Sequence, residues 1–184
     1  FPEILNGRVK TLHPKIFGAI LSKSDSSTHE EEIKKNNIKK IDMVICNLYQ
    51  FEKVINSNNF KHDDAIENID IGGSSILRAA AKNYSDVTVV IDPSDYDFVA
   101  NCIIENKIDS FIRKKLASKV FNFLSNYDNK ISKYLSNNDE FQLPQGLIPE
   151  NLRYGENPHQ MGILLKNNLN YGVANSIKVS GKKM

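Results

Sequence analysis

The chain contains 184 residues, of which 40% are hydrophobic and 25% charged, a balance typical of globular domains with a real core. Its 24 basic and 22 acidic residues leave a net charge of +2, without the basic stripe of a nucleic-acid-binding protein. No apolar run approaches the roughly 20 residues of a membrane span, and no secretory leader is recognisable at the start. We therefore expect neither a nucleic-acid nor a membrane partner.

The predicted elements of the first half indicate an α/β domain. A loop over residues 1–17 precedes a short apolar run, residues 18–22, that we interpret as a strand. Residues 41–46 form a nearly continuous apolar run, which predicts a strand buried on both faces, as in a parallel sheet. The predicted helices are a polar one capped by Ser27 or Thr28 and ending near Lys35, two short ones over Phe51–Ile55 and His62–Glu67, and one over residues 76–83 that follows Gly72-Gly73-Ser74-Ser75.

The second half continues the alternation of strands and helices. Residues 87–91 predict a second buried strand, Ser94 or Asp95 caps a helix to about Glu105, and apolar spacing predicts a long helix over residues 109–136. A proline- and glycine-bearing segment follows, and residues 162–165 have the pattern of a strand. We therefore divide the chain into a domain over residues 1–138, a linker over 139–151 and a second segment over 152–184. Two buried strands are few for such a sheet, and the chain begins at Phe1, so we expect an internal fragment.

Four segments carry candidate functional groups, and the first is the loop that contains Arg8, Lys10 and Thr11. In an extended loop alternate side chains share a face, so Arg8 and Lys10 can point together toward a phosphate or another anion. Arg is rare here, at four of the 24 basic residues, and its planar fork suits bidentate anion contacts. The alternative is a solvated basic loop.

The second candidate segment follows the first buried strand. Ligands of open α/β sheets bind beyond the carboxyl ends of the strands, where Asn47 offers an amide and Tyr49 a phenol. The alternative is a helix-capping asparagine beside a packed tyrosine. Cys46 and Cys102 lack the spacing of a zinc site or disulfide framework, and we interpret them as free thiols in a reducing compartment.

The third candidate segment is Asp70-Ile71-Gly72-Gly73 and the helix after it. The glycines allow close approach to a ligand, the helix N-terminus offers N–H donors, and Asp70 is a plausible acceptor or base. Lys82, farther along this helix, can move a proton if it is desolvated. A glycine pair alone is a weak signal. The four histidines are scattered and the known nucleotide, metal and nucleophile motifs are missing, so no metal site is expected.

The fourth candidate segment is dense in polar groups: Leu152-Arg153-Tyr154-Gly155-Glu156-Asn157-Pro158-His159-Gln160. The alternative to a functional role for this segment is a surface turn.

Five segments, taken in order, closely resemble the family of bifunctional purine biosynthesis enzymes: GRVKTLHPK, CNLYQF, ENIDIGGSSILRAAAKN, VTVVIDPSDY and LRYGENPHQ. In that family AICAR (aminoimidazole carboxamide ribotide) formyltransferase is fused to IMP cyclohydrolase. The resemblance covers essentially the whole chain.

The resemblance implies a methylglyoxal-synthase-like cyclohydrolase domain, Rossmann-like with a mostly parallel sheet and lacking its N-terminal strands. The start of a cytidine-deaminase-like transformylase domain follows. Expected substrates are formyl-AICAR, AICAR and IMP, with formyl-tetrahydrofolate as co-substrate of the longer protein and no cofactor bound in this chain. A cytosolic homodimer is implied, and we expect weak or no turnover from the isolated chain. The alternative is a regulatory nucleotide-binding module of the same fold that lacks catalysis.

Site residues are also implied by the resemblance. The catalytic positions are Lys10, Tyr49, Asp70 and Lys82, with Lys82 as the proton shuttle. The cyclohydrolase substrate contacts are Arg8, Val9, Lys10, Thr11, Cys46, Asn47, Asp70, Ile71, Gly72 and Gly73. Arg153 and Tyr154 match the pair that holds AICAR in the transformylase site. The chain departs from the family pattern at Phe17, Gln50 and Ser74, and we expect the absence of Pro at 50 and 74 to loosen two site loops.

Overall fold

The computed structural model describes residues 5, 8–136, 147–152 and 159–167, and the chain divides into two compact units, Phe1–Leu135 and Ser136–Met184. The helices of the described residues are α1 (Pro14–Leu21), α2 (Ser27–Lys35), α3 (Phe51–Ile55), α4 (His62–Glu67), α5 (Ile71–Lys82), α6 (Tyr96–Ile104) and α7 (Ser110–Leu135). The strands are β1 (Met43–Ile45), β2 (Thr88–Val90), β3 (Leu147–Asn151) and β4 (Ile163–Asn167). The predicted helices α2, α3, α4, α6 and α7 are confirmed.

The sheet of the first unit is parallel, as predicted, and pairs β1 with β2 so that Val44 lies opposite Val89. Val44 and all three residues of β2 are buried. Ile45, however, is 55% exposed, so the prediction that the first strand is buried on both faces is wrong at its carboxyl end. Successive strand residues alternate between faces. On the face of Ile45, Met43 and Val90 pack with Val99 and Leu116, whereas Ile45 itself lies outside this cluster.

Two helices, α5 and α7, pack against each other and against β2 to form the main core. Small buried residues of α5, Ala79 to Ala81, belong to the same core cluster as the buried Ala117, Val120 and Leu124 of α7. Small side chains allow close helix packing, so α5 is held firmly between α7 and the sheet. This packing fixes the N-terminus of α5 at the carboxyl edge of the sheet.

Helix α1 replaces the strand predicted over residues 18–22 and the end of the predicted loop. His13 caps it by accepting a hydrogen bond at Nδ1 from the Lys15 N–H at 3.1 Å, and Pro14 occupies the first turn. The fixed φ of proline suits that position. Because Ile16, Ile20 and their neighbours then recur at helical spacing, the apolar run packs as a helix face.

Three other helix starts differ from the predictions, either in position or in capping. Helix α5 begins at Ile71 with Asp70 as its cap, so the glycine pair lies inside the first turn and not in a preceding loop. Helix α6 begins at Tyr96, after the predicted cap Asp95, but Asp95 makes no capping hydrogen bond; its carboxylate binds Lys119 Nζ at 2.7 Å. Helix α2 is capped by Ser26, one residue before the predicted pair.

In the second unit, β3 and β4 pair antiparallel, with Pro149 opposite Leu165. The strand predicted over residues 162–165 is confirmed as β4. The last residues of the segment predicted as a linker over 139–151 form β3, Leu147–Asn151. Pro149 lacks an N–H but a two-stranded ladder leaves alternate N–H groups unpaired, which permits proline on an edge strand. Among the described helices, none combines the length and apolar character required to cross a membrane.

Candidate active site

The Asp70 carboxylate joins two of the predicted segments at the carboxyl edge of the sheet. Its Oδ1 accepts the Gly73 N–H at 2.7 Å, and its Oδ2 accepts the Tyr49 N–H at 3.3 Å. Asp70 is only 9% exposed, so these bonds satisfy a largely buried charge. The segment after β1 and the start of α5 are therefore held together by one side chain.

The loop of the first candidate segment reaches the same place. A Cβ on Gly72 would lie 2.8 Å from Thr11 Oγ1, so the threonine hydroxyl sits directly against this glycine. Arg8 forms an ion pair with Glu67 at the end of α4, with 3.3 Å between Nη2 and Oε1. Lys10 lies between these two attachment points and is exposed, and Val9 is half-buried. The predicted basic loop thus packs on the corner between α4 and α5.

The first turn of α5 is shaped by the absence of side chains at two positions. A Cβ on Gly73 would lie 2.7 Å from Asp70 Oδ2, which is closer than real side-chain atoms approach. The glycines therefore admit the Asp70 carboxylate and the Thr11 hydroxyl. Because the Asp70 carboxylate accepts a hydrogen bond from the Gly73 N–H, this donor is not available to a ligand. Ile71, at the start of the helix, is 56% exposed.

Position 74 does not lie in a loop, contrary to the prediction. Ser74 lies inside α5, where its hydroxyl donates to the Asp70 carbonyl oxygen at 2.7 Å. Gln50 precedes α3 without a side-chain capping bond, but the neighbouring Tyr49 N–H remains anchored on Asp70. Phe17 packs against the main core. Of the three departures from the family pattern, Ser74 adds a bond to the site.

Cys46 and Tyr49, both near Asp70, differ in how far they are buried. Cys46 is half-buried, and burial raises the pKa of its thiol, with a further increase from the charge of Asp70. The thiol therefore stays protonated near neutral pH, which suits it to a neutral contact and not to nucleophilic attack. Tyr49 is 52% exposed, so its phenol is available at the surface of the site. Both cysteines are free, as predicted.

Asn47 connects the carboxyl ends of both strands. Its Nδ2 donates to the Ile91 carbonyl oxygen at 2.9 Å, and its Oδ1 accepts from the Tyr96 hydroxyl at 2.7 Å. The side chain is exposed. The amide thus makes two tertiary hydrogen bonds in place of the helix cap offered as the alternative, and its contact with a ligand stays a prediction.

Three residues that support the site were missed by the sequence analysis: Glu67, Tyr96 and Tyr127. Tyr127 of α7 is buried, accepts the Asp70 N–H at 2.9 Å and donates to the Asn68 carbonyl oxygen at 3.2 Å. Burial raises the pKa of its phenol, which keeps the hydroxyl proton available for that bond. Helical spacing identified the face of α7, but no local signal connects it with a loop 57 residues earlier.

Lys82 is not brought to this cluster. It is the last residue of α5 and is exposed, and twelve residues of helix place its Cα roughly 18 Å from that of Asp70. The helix predicted over residues 76–83 begins five residues too late, so the prediction underestimated the separation between Lys82 and the helix start. Arg153 and Tyr154 lie outside the described residues. No group of three or more His, Cys, Asp or Glu residues suited to a metal ion occurs in the described part of the chain.

Comparison with known proteins identifies the family. The family model described as AICARFT/IMPCHase bienzyme matches residues 80–184, more than half of the chain. The chain belongs to the AICARFT/IMPCHase bienzyme family. A model of the MGS-like domain matches residues 1–75, so the family and the MGS-like α/β fold predicted for the first domain are both confirmed.

Curated relatives of the AICARFT/IMPCHase bienzyme family carry the name bifunctional purine biosynthesis protein PurH. The Thermoanaerobacter sp. relative is 42% identical over 100% of this chain and 38% of its own length. The Listeria monocytogenes relative is 49% identical over 87% of this chain and 33% of its own length. The chain thus spans about a third of these relatives. A crystal structure of ForH is similar with a TM-score of 0.67 and 29% identity, over 76% of this chain and 72% of that one.

Proposed function

We propose that this chain carries the IMP cyclohydrolase site of a bifunctional enzyme that performs the last two steps of purine biosynthesis. The observation that supports the proposal is the convergence on Asp70 and Gly72 of three segments that are distant in sequence. Asp70 binds the backbone of Tyr49 and Gly73, and Thr11 packs on Gly72. This edge of the sheet is where α/β proteins bind nucleotides.

Ring closure makes limited demands on the protein. The carboxamide nitrogen of formyl-AICAR attacks the formyl carbon of the same molecule, and loss of water from the cyclic adduct gives IMP. The site must select the near-attack conformer, stabilise the developing oxyanion and move protons. Lys10 and the Tyr49 phenol are suited to the oxyanion. Asp70 keeps carboxylate lone pairs beyond its two backbone bonds, so it can accept a substrate N–H.

We infer the orientation of the nucleotide from the charges around the site. The Asp70 carboxylate at the start of α5 repels a phosphate, so the helix N-terminus is better suited to the base, which Ile71, Cys46 and Asn47 would line. Arg8 and Lys10 supply the positive charge that attracts the phosphate end. Arg8 keeps donors beyond its single contact with Glu67, since a guanidinium carries five N–H groups.

Only the family resemblance supports a catalytic role for Lys82. Its distance from Asp70 along α5 favours Lys10 as the lysine that acts on the reacting groups. The two positions can be separated directly, because Lys130 of α7, which pairs with Glu52, offers a lysine control outside the predicted site.

The experiment is a single-turnover assay with the chain in excess over formyl-AICAR, measuring the appearance of IMP. We expect slow formation above the rate in buffer, a loss on the order of 100-fold or more in Lys10→Met, and no change in Lys130→Met. Loss in Lys82→Met would return the proton shuttle to that residue. Binding of IMP without any ring closure would instead favour the regulatory nucleotide-binding module.

The second activity, formyl transfer from formyl-tetrahydrofolate to AICAR, is proposed for the longer protein. Arg153 and Tyr154 would contribute the first AICAR contacts, in the segment over residues 152–184. We further propose that the longer protein acts as a cytosolic homodimer on small nucleotides. The support is the family membership and the PurH relatives, which extend well beyond this chain.

A further inference from the structure

The hydrogen bonds of Asn47 fix which end of its amide faces which neighbour. The Ile91 carbonyl oxygen can only accept, so the end 2.9 Å from it must be the Nδ2 donor. Oδ1 is then the end that faces Tyr96, and the tyrosine hydroxyl must donate across the 2.7 Å contact. The orientation of the amide therefore follows from the chemistry of its neighbours.

These two bonds leave part of the amide's capacity for a ligand. An amide has two N–H donors and two acceptor lone pairs, and each of its ends uses one in the intramolecular bonds. The exposed side chain thus presents one N–H and one lone pair in fixed directions. A ligand whose carbonyl oxygen and ring N–H meet this pair is favoured over one with the opposite pattern.

Tyr96 is well placed to hold this arrangement. It is the first residue of α6, and the next turn is anchored by Val99, buried with Val90 and Leu116. Lys119 of α7 also lies 2.7 Å from both Asp92 and Asp95, directly before Tyr96. The hydroxyl is therefore carried on a braced helix start and not on a loose loop.

We propose that Tyr96 is a specificity-determining positioning residue, which locks the Asn47 amide so that the site prefers a 6-oxo purine nucleotide over a 6-amino one. This inference rests on the proposed function, which puts the base near Asn47. IMP and AMP are the appropriate probes, because the 6-oxo group and N1–H of IMP reverse the donor and acceptor pattern of the 6-amino group and N1 of AMP. Without the hydroxyl, Oδ1 loses one partner and the amide gains rotational freedom.

The test is isothermal titration of IMP and AMP into the wild-type chain, Tyr96→Phe and Tyr134→Phe. Tyr134 is the control, since its hydroxyl lies 2.9 Å from His62 Nδ1, away from Asn47. We expect the wild type and Tyr134→Phe to prefer IMP, and Tyr96→Phe to lower the ratio of the two affinities roughly three- to tenfold, the effect of one neutral hydrogen bond.

The affinity ratio separates specificity from structural support. If Tyr96→Phe weakens both nucleotides by the same factor, or neither, the inference is overturned while the proposed function stands. If the folded wild-type chain binds neither nucleotide, the proposed function and this inference both fail.

Discussion

At the scale of single residues, Asp70 determines the geometry of the site. A buried carboxylate is costly unless hydrogen bonds compensate for its lost hydration, and here Gly73 and Tyr49 provide them. The Tyr127 hydroxyl accepts the N–H of the same residue. The position of Tyr49 and of the first turn of α5 thus depends on this side chain.

Gly73→Ala tests that dependence. The new Cβ would lie 2.7 Å from Asp70 Oδ2, so the carboxylate must move and lose one or both backbone bonds. We expect a decrease of about 1–3 kcal/mol in the free energy of unfolding, measured by urea denaturation, and weaker IMP binding by titration.

Gly18→Ala in α1 is the matched control. Its Cβ would lie 3.2 Å from the terminal methyl of Ile38, which can shift, and alanine is preferred over glycine within a helix. Its stability should stay the same or rise, with IMP binding unchanged. Equal behaviour of the two variants would contradict the role assigned to Gly73.

At the scale of elements, the carboxyl end of β2 is tied to α7 by charge. Lys119 Nζ lies 2.7 Å from both Asp92 Oδ2 and Asp95 Oδ2. Hydrogen bonds from Lys119 and Ser94 lower the pKa of Asp92 to about 2. This tie holds the start of α6, and with it Tyr96, beside the carboxyl end of the sheet.

The pH dependence of stability follows from that shift. An aspartate whose pKa is lower in the folded chain stabilises the fold above its ordinary pKa of about 3.9, and this contribution is lost as the pH falls to about 2. We expect Asp92→Asn to lose less stability than the wild type between pH 5 and pH 2 in urea titrations. The exposed Asp97→Asn serves as control, and parallel curves for wild type and Asp92→Asn would contradict the tie.

At the scale of the whole molecule, periodicity and caps predicted most elements because their signals are local. Residues 41–46 and 87–91 have the apolar runs of parallel strands, and the structure pairs their centres as β1 and β2. Helix α1 was not predicted and the start of α5 was misplaced, because the caps His13 and Asp70 outweigh the loop signals of the neighbouring proline and glycines.

The site was predictable in its residue types and less so in its geometry. Loop 8–11, Asn47, Tyr49 and Asp70 were each identified from local chemistry, and their proximity follows from the fold. The supporting contacts of Glu67, Tyr96 and Tyr127 join residues that are 49 to 59 positions apart in the sequence, and such pairings depend on tertiary packing. Lys82, in contrast, was identified from the sequence, but it lies at the end of α5 opposite to the cluster.

The central claim is that these segments form one nucleotide site, and thermal unfolding with and without millimolar IMP tests it most directly. A ligand that binds only the folded chain stabilises it by about 2.7 kcal/mol at a hundredfold excess over its Kd. We predict a cooperative transition that shifts to higher temperature with IMP and much less with inorganic phosphate. A cooperative transition that IMP leaves in place, or that phosphate shifts equally, would contradict the claim.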